Sequence, residues 1–424
     1  MTSLIHPDSD LSPIQAGDRI ISLDIIRALA LFGVLLMNLP EFSGATALAT
    51  MGRPGATGTL DTWIAGISKV LVNGKAMSCF AMLFGIGLFI QFERAHAKGL
   101  SQTRFALRRL GGLFLIGMVH WVLIWDGDIL TVYALVGFTL LPLLRSRARA
   151  FLFVAFAAFL VSDALFLLLR LLHAPIGLNT FAWAEANSRA ADIVCGHGSW
   201  LSAMTWRLSR WANLSTPAYF LACVPYVMPM FMTGALLWRL GIPRGTQDQT
   251  RKLSALFHGT FWIGLALSLI GTDPFKLVPE AWKKCMEGTP WLYVGDAGMY
   301  LLAVGYFTAL LRLLARPKWT KRLSILAPMG RMALTNYLSQ SLVFTWVFYR
   351  QGFGFWGRTS PKSILVCALV FYVMQVAWSR WWLARFKFGP CEWLWRSMTY
   401  GKWQPFLIPG ASGDGIPSAT PEVS

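Results

Sequence analysis

The chain has 424 residues, of which 55% are hydrophobic and only 14% are charged, and its formal net charge is +18. An average soluble domain carries about 25% charged residues. This composition therefore excludes ordinary soluble domains, disordered chains, collagen-like chains and small disulfide scaffolds. The apolar residues occur in long runs that do not alternate, which excludes an outer-membrane β-barrel. The sequence predicts an all-α fold, a polytopic transmembrane helical bundle.

A membrane-spanning helix needs about 20 largely apolar residues, and about ten segments meet that condition. The predicted spans are 22–40, 74–92, 108–125, 128–144, 150–172, 217–238, 255–272, 295–314, 324–349 and 363–384. A bundle of this kind is expected to be embedded in the lipid bilayer, which is therefore a predicted partner.

Lys and Arg concentrate in one alternate set of loops between these spans. That set comprises 92–109, 145–149, 239–253 and 312–322, together with the two termini. Loops rich in Lys and Arg stay in the cytoplasm and meet anionic lipid there. Both termini are therefore predicted to be cytoplasmic, and the positive charge requires no nucleic-acid partner.

The chain is predicted to have one membrane domain between two tails. Residues 1–18 form a polar cytoplasmic tail without the basic region of a cleavable signal peptide, and 19–405 form the transmembrane domain. Residues 406–424 are rich in Gly, Pro and Ser, which is typical of disorder. The longest loop, 173–216, is predicted to be an interfacial amphipathic helix on the outer side.

Two of the six cysteines, Cys195 and Cys285, fall in predicted outer loops. They could form a disulfide in an oxidising periplasm, and two unpaired thiols are the alternative. No cysteine spacing is typical of zinc, so no metal is expected.

Ionisable residues inside spans are the best guide to function, because a charge at mid-membrane costs about 2.5–3.5 kcal/mol on insertion scales. Asp24 and Arg27 stand at the start of the first span, and a spacing of three places them on one helix face. They are predicted either to anchor the helix at the interface or to bind a ligand.

His120, in the third predicted span, precedes a tight turn that carries Asp126 and Asp128. A histidine held by a carboxylate can act as a general base. The alternatives are a core histidine bonded to a neighbour and, for Asp128, a capping residue of the next helix.

Asn38 lies near the outer end of the first span and is followed by Glu41, while Lys75 opens the second span. If these helices meet, the three side chains converge with His120 near the outer face. Lys75 could equally extend to the lipid headgroups.

Arg331, Asn336 and Gln340 mark a polar stripe along the ninth span. Small polar residues often join membrane helices, so packing is one interpretation. The guanidinium of Arg331 suits a phosphate or a carboxylate, which favours a binding role. After the last span, Glu392 and Arg396 are four residues apart in an aromatic interfacial segment, the favourable order for an ion pair.

Five segments together resemble a known bacterial family. They are RIISLDIIRALALFGVLLMN (19–38), CFAMLFGIGL (79–88), HWVLIWDGDILTVYAL (120–135), GRMALTNYLSQS (330–341) and FGPCEWLWRSMTYGKWQP (388–405). Over about 19–405 the chain resembles the YeiB-like family of uncharacterised inner-membrane proteins. That family is distantly similar to transmembrane acyltransferases of the heparan-α-glucosaminide N-acetyltransferase type and to sugar O-acyltransferases.

This resemblance implies a multi-pass protein of the bacterial inner (plasma) membrane that moves an acyl group across it. The donor would be a cytoplasmic acyl-CoA, with acetyl-CoA favoured, and the acceptor a hydroxyl or amine of a sugar, lipid or small molecule at the outer side. Two features depart from the relatives. Ala28 replaces the usual glycine, and no histidine follows Asn38 before His96.

The polar residues within the spans and the family resemblance together predict three groups of site residues. The catalytic group is His120, Asp128 and Asn38, the last as an oxyanion donor. The acyl-CoA-binding group is Asp24, Arg27, Arg331, Asn336 and Arg396. The substrate-binding group is Lys75, Asp126 and Gln340.

A transporter is the main alternative, with His120, Asp128 and Asp24 as a relay. It predicts inverted repeats and broken helices at mid-membrane. A non-catalytic membrane partner is a third hypothesis and predicts polar groups that are scattered and paired only locally. A homo-oligomer is left open.

Overall fold

The computed structural model describes residues 20–52, 58–97, 101–146, 148–171, 180–212, 215–242, 247–272 and 289–408. The predicted N-terminal tail, Cys285 and residues 409–424 lie outside these ranges, so their predictions stay untested.

The described residues form helices joined by turns, with one isolated β-bridge between Phe386 and Leu407. The helices are α1 (Ile21–Phe42), α2 (Ala45–Thr50), α3 (Thr59–Leu71), α4 (Lys75–Ala97), α5 (Gln102–Leu123), α6 (Leu130–Leu140), α7 (Ala148–Leu171), α8 (Thr180–Ala191), α9 (Trp200–Ala212), α10 (Ser215–Arg239), α11 (Gln247–Thr272), α12 (Thr289–Leu314), α13 (Pro317–Leu323), α14 (Ala327–Arg331), α15 (Ala333–Phe348), α16 (Pro361–Leu383) and α17 (Pro390–Tyr400).

Within the described ranges, seven helical stretches are long and apolar enough to cross a membrane. This confirms the polytopic helical bundle, although several of the ten predicted spans differ in detail. The predicted span 128–144 is a short α6 extended by a 3-10 turn, and Pro142 lies two residues after the end of α6. Residues 59–71, which lie between the predicted spans 22–40 and 74–92, form α3, which leads into α4 through a turn at 72–74.

Helix α1 lies at the centre of the bundle and packs against α4, α14, α15 and α16. Its apolar residues do not form a single stripe, and Ile25, Leu31 and Leu35 are all fully buried. A helix that is apolar on most sides is buried on most sides, so the first predicted span becomes the central helix.

The predicted ninth span, 324–349, is wrong as one continuous helix. A 3-10 turn and the short α14 precede a break at Met332, where φ is −106° and ψ is 31°, and α15 begins afterwards. The break coincides with close packing on α1, since a Cβ added at Gly330 would overlap the backbone carbonyl of Asp24.

Glu392, from α17, satisfies the backbone groups that this break exposes. Its carboxylate accepts hydrogen bonds from Leu334 N at 2.6 Å, Thr335 N at 3.1 Å and Thr335 Oγ1 at 2.6 Å. The sequence predicted Arg396 as its partner, whereas the structure directs the carboxylate at the start of α15, where negative charge is favoured. Burial raises the pKa of Glu392, and the bonds from Thr335 offset part of that effect.

The long predicted outer loop folds into two helices, α8 and α9, joined by a π-helical turn at Asp192–His197. Helix α9 docks on the end of α5 through two side chains. Trp200 Nε1 donates to Leu123 O at 2.8 Å, and buried Arg207 donates to Val122 O at 2.6 Å. The prediction of one interfacial helix is therefore too simple.

Ordered packing continues past the predicted domain boundary at 405. The ring of Phe406 contacts those of Phe386 and Trp393, with centroids 4.9 and 5.2 Å apart. Residues 406–408 are therefore part of the described structure, while the prediction of a disordered tail stays untested.

Helices α4 and α10 cross in close contact because each carries a glycine at the crossing. A Cβ added at Gly85 would overlap the backbone of Phe231, and one added at Gly234 would overlap that of Met82. Small residues let membrane helices approach in this way.

We expect Gly85→Ala to lower the thermal unfolding midpoint of the detergent-purified protein, because α4 and α10 must separate to admit the methyl group. Gly111→Ala in α5 is the matched control, since a Cβ there meets nothing within 4 Å. Equal midpoints for the two variants, measured by intrinsic fluorescence, would show that the crossing is not as close as described.

Candidate functional site

A cavity of about 900 Å³ runs along one face of α1. This face includes Asp24, Arg27, Leu31, Asn38 and Glu41. Their spacings of three, four and seven are those of one side of a helix. From Asp24 to Glu41 the helix rises about 25 Å, so the cavity extends through most of the thickness of a membrane.

Helix α4 forms the opposite wall and runs antiparallel to α1. Its lining residues extend from Met77 to Arg94. The start of α4 lies beside the end of α1, where Gly74 N donates to Met37 Sδ at 3.5 Å. Arg94 therefore lies toward the end of the cavity that contains Asp24, and the two helices frame its whole length.

The cavity end at the start of α1, called the basic end here, is rich in arginine. The arginines that line it are Arg27, Arg94, Arg109, Arg331 and Arg396. These five positive charges outnumber the three carboxylates at the same end, those of Asp24, Glu93 and Glu392. Arg27 Nη1 lies 2.6 Å from Asp24 Oδ1, which confirms the predicted pair. The net positive charge of this end suits an anion.

Arg109 is held at the basic end by Trp395. Its guanidinium carbon lies 3.8 Å from the centroid of the indole ring, and Trp395 Nε1 donates to Arg109 O at 2.8 Å. The charges of Arg27 and Arg396 both act on the Arg109 guanidinium. Three like charges in one enclosed place repel each other, so an anion between them would stabilise the arrangement.

The middle of the cavity is apolar. Leu31 and Val34 from α1 face Leu83 and Phe84 from α4, with Val132 from α6 beside them. An aqueous ion would lose hydration there, whereas a flexible chain with few charges would not.

The opposite end, called the acidic end here, carries Glu41, Asp126 and Asp128 beside Asn38. Arg210 of α9 also lines it and pairs with Asp126, with Nη1 to Oδ2 at 2.8 Å. Helix α9 therefore lies at this end and supplies the arginine that pairs with the turn between α5 and α6.

His120 and Asp128 form the predicted pair, with Nδ1 and Oδ1 2.8 Å apart and both side chains almost fully buried. Asp128 Oδ2 also accepts a bond from Thr131 N at 2.7 Å, so it caps α6 as well. Asp128 lines the cavity, whereas His120 lies behind it, 1% exposed, with no described partner for Nε2. The side chain that meets the cavity is thus the carboxylate.

Asn336 and Gln340 do not line the cavity. Gln340 Nε2 donates to Gln375 Oε1 at 2.9 Å, and Asn336 Nδ2 donates to Ser379 Oγ at 2.9 Å. Gln375 Nε2 in turn bonds to Asn336 O and to Ser339 Oγ, both at 2.9 Å. These side chains join α15 to α16, as the packing alternative predicted.

Lys75 also lies off the cavity, 2% exposed at the start of α4. Its Nζ is 3.4 Å from Lys69 O, and its charge interacts with that of Asp296 in α12. Tyr226 bonds to Asp296 at 3.3 Å and lines the cavity, so one residue separates this charge pair from the cavity.

Sequence reasoning missed Arg94 and Arg109. Both fall in the basic loop 92–109, where the charge was explained by membrane orientation alone. The signal that could have separated Arg109 from its loop neighbours is its position inside the predicted span 108–125, on the same helix as His120.

The bundle and its cavity define a class: a polytopic helical membrane protein with a deep, charged internal site. A family model described as protein of unknown function (DUF418) matches residues 237–402. The uncharacterised protein YxaH of Bacillus subtilis (strain 168) is 32% identical over 416 residues, covering 94% of this chain and 98% of that protein.

Two further relatives align over almost their whole length. The uncharacterised protein YeiB of Escherichia coli (strain K12) is 28% identical over 413 residues, covering 90% of this chain and 96% of that protein. An uncharacterised 39.9 kDa protein in the amylase 3' region of Bacillus acidopullulyticus is 28% identical over 400 residues, covering 94% and 99%. The chain therefore belongs to the DUF418 family, and the resemblance to YeiB-like proteins is confirmed.

We expect Asp126 and Arg210 to be coupled by about 1 kcal/mol in a double-mutant cycle of alanine variants, because the pair is partly shielded from solvent. Unfolding free energies in mixed detergent would measure it. The exposed pair Glu185–Arg189 on α8 is the control and should couple by less than about 0.5 kcal/mol. A coupling no larger than the control would mean that the Asp126–Arg210 pair does not hold α9 at the acidic end.

Proposed function

We propose that this protein is an acyl-CoA-dependent acyltransferase of the bacterial inner membrane, with acetyl-CoA as the favoured donor. The basic end would face the cytoplasm with both termini, and the acceptor would enter at the acidic end. The observation that carries the proposal is one cavity that connects a cluster of arginines to the buried His120–Asp128 pair.

The dimensions of the cavity suit a CoA thioester. From Arg27 to Asn38 the helix α1 rises about 16 Å. The pantetheine arm has the backbone length of about four extended residues, roughly 14 Å. A donor whose phosphates lie among Arg27, Arg109 and Arg396 would therefore place its thioester near Asn38 and Asp128.

The apolar middle of the cavity supports the same placement. The pantetheine arm carries no charge and has two amides, so its transfer into this region costs less than that of a charged solute. Exclusion of water would also limit hydrolysis of the thioester.

The chemistry assigns new roles within the predicted pair. Asp128 contacts the acceptor and takes its proton, while His120 behind it holds Asp128 and shares that proton. The acceptor oxygen or nitrogen then bonds to the thioester carbon, and the amide of Asn38 can donate to the developing oxyanion. When the carbon–sulfur bond breaks, the CoA thiolate takes up a proton.

Transport is a second candidate, favoured by one observation. The helix break at Met332 adjoins the cavity wall, since Gly330, Arg331 and Ala333 all line it. Broken helices are typical of transporters. The apolar middle opposes the passage of a small polar solute, and solute flux into proteoliposomes without acyl-CoA would favour transport.

We expect the protein in nanodiscs to bind acetyl-CoA saturably, and Arg109→Gln to weaken binding at least tenfold, because the buried guanidinium faces the phosphates. Arg385→Gln is the matched control. Arg385 also stacks on a tryptophan, Trp381, at 4.5 Å, but it does not line the cavity. Isothermal titration would measure both dissociation constants.

In the same preparation, Asp128→Asn should keep the dissociation constant for acetyl-CoA and lose at least a hundredfold in release of the CoA thiol. His120→Ala should likewise keep the dissociation constant for acetyl-CoA and lose the release of the CoA thiol. Absent binding to the wild-type protein, or equal binding by the two arginine variants, would contradict the proposal.

A further inference from the structure

Glu41 is a carboxylate placed where negative charge is unfavourable. It lies in the last turn of α1, which has no basic residue, and the C-terminal end of a helix carries partial negative charge. Asp126 is close enough for its charge to act on Glu41 as well. Both effects would be relieved by a cation in the cavity.

The other charges of the acidic end have ionic partners, whereas Glu41 has a side-chain hydrogen bond with Thr46 and no ion pair among the described residues. Asp126 pairs with Arg210, and Asp128 pairs with His120. Arg207, near this end, directs Nη1 to Val122 O. Within the described part of the chain, no Lys, Arg or His nitrogen lies within ion-pair distance of Glu41. Its side chain is exposed and lines the cavity.

A second, independent polar group that lines the cavity lacks a hydrogen-bond partner within the described ranges. Thr216 of α10 lines the cavity and is 1% exposed, and its Oγ1 forms no hydrogen bond with the described residues. A buried hydroxyl without a partner is unfavourable. A ligand with several N–H donors could satisfy this oxygen and Glu41 together.

Aromatic rings complete the surroundings. Trp125, Tyr219 and Tyr337 all line the acidic end. The faces of such rings attract cations, and carboxylates among aromatic walls are typical of ammonium recognition.

We propose that the acidic end binds an organic ammonium group, with Glu41 as the counter-charge and Thr216 as a hydrogen-bond acceptor. This inference rests on the proposed function. It assigns a primary amine as the acceptor of the acyl group, so the product is an amide.

The transfer then balances as follows. The bound ammonium loses one proton to Asp128, and the nitrogen lone pair forms a bond to the thioester carbon. Collapse of the tetrahedral species breaks the carbon–sulfur bond, and the sulfur takes a second proton from nitrogen. An ammonium and a thioester thus yield an amide, a thiol and one released proton.

The test compares two probes of similar shape that differ in charge, aminobutanol and butanediol. We expect the protein in nanodiscs to bind aminobutanol at least tenfold more tightly, as measured by saturation-transfer NMR titration. Glu41→Gln should abolish this preference, because the amide keeps the shape and loses the charge. Glu185→Gln, a neutralised carboxylate of the α8 pair outside the cavity, should retain it.

Equal binding of the two probes to the wild-type protein, binding of neither, or an unchanged preference in Glu41→Gln would overturn the inference. Thr216→Val should weaken aminobutanol binding, because it removes the hydroxyl that accepts a bond from the ammonium, and unchanged binding would overturn that role. Failure of the proposed function is distinguishable, because loss of acetyl-CoA binding would leave the amine preference intact.

Discussion

Charged side chains at membrane depth need a partner or water, because lipid supplies neither. Helix α1 carries Asp24, Arg27, Asn38 and Glu41 through the centre of the bundle, and all four lie on one face. The neighbouring helices leave space along that face and pack tightly on the others, where Ile25 and Leu35 are buried. The cavity, its two charged ends and its apolar middle follow from this single distribution of polar residues.

The ends of the cavity are completed by segments far apart in the chain. At the basic end, Arg109 of α5 is held by Trp395 of α17, and the same helix places Glu392 on the start of α15. The break before α15 lets Gly330 pack closely against α1. It also leaves backbone N–H groups at the start of α15, which donate hydrogen bonds to the carboxylate of Glu392. At the acidic end, α9 supplies Arg210 to Asp126. The charged groups at the two ends thus line one cavity, which is not the scattered arrangement expected of a passive membrane partner, whereas Lys75, Asn336 and Gln340 lie off the cavity and have local partners.

Local spacing was enough to predict the bundle and the pairs whose members are close in sequence. Asp24 with Arg27, and His120 with Asp128, are separated by three and eight residues. The same reasoning failed for Asn336 and Gln340, because a polar stripe that faces a cavity and one that faces another helix have the same period. It also failed for Arg109, because positive charge near a helix end satisfies the rule for membrane orientation whether or not it points into a cavity. Contacts between distant segments decide these cases, and one sequence does not contain them.

The continuity of the cavity is tested most directly by the reactivity of a cysteine placed halfway along it. Gly87 of α4 lines the cavity, and Gly111 of α5 does not; a Cβ added at either meets nothing within 4 Å. In a variant without the native cysteines, Gly87→Cys should react with an uncharged, water-soluble maleimide, and acetyl-CoA should slow that reaction. Gly111→Cys should react at a rate that acetyl-CoA does not change. If the Gly87→Cys thiol is inert, or if acetyl-CoA affects both variants equally, no accessible cavity joins the two ends.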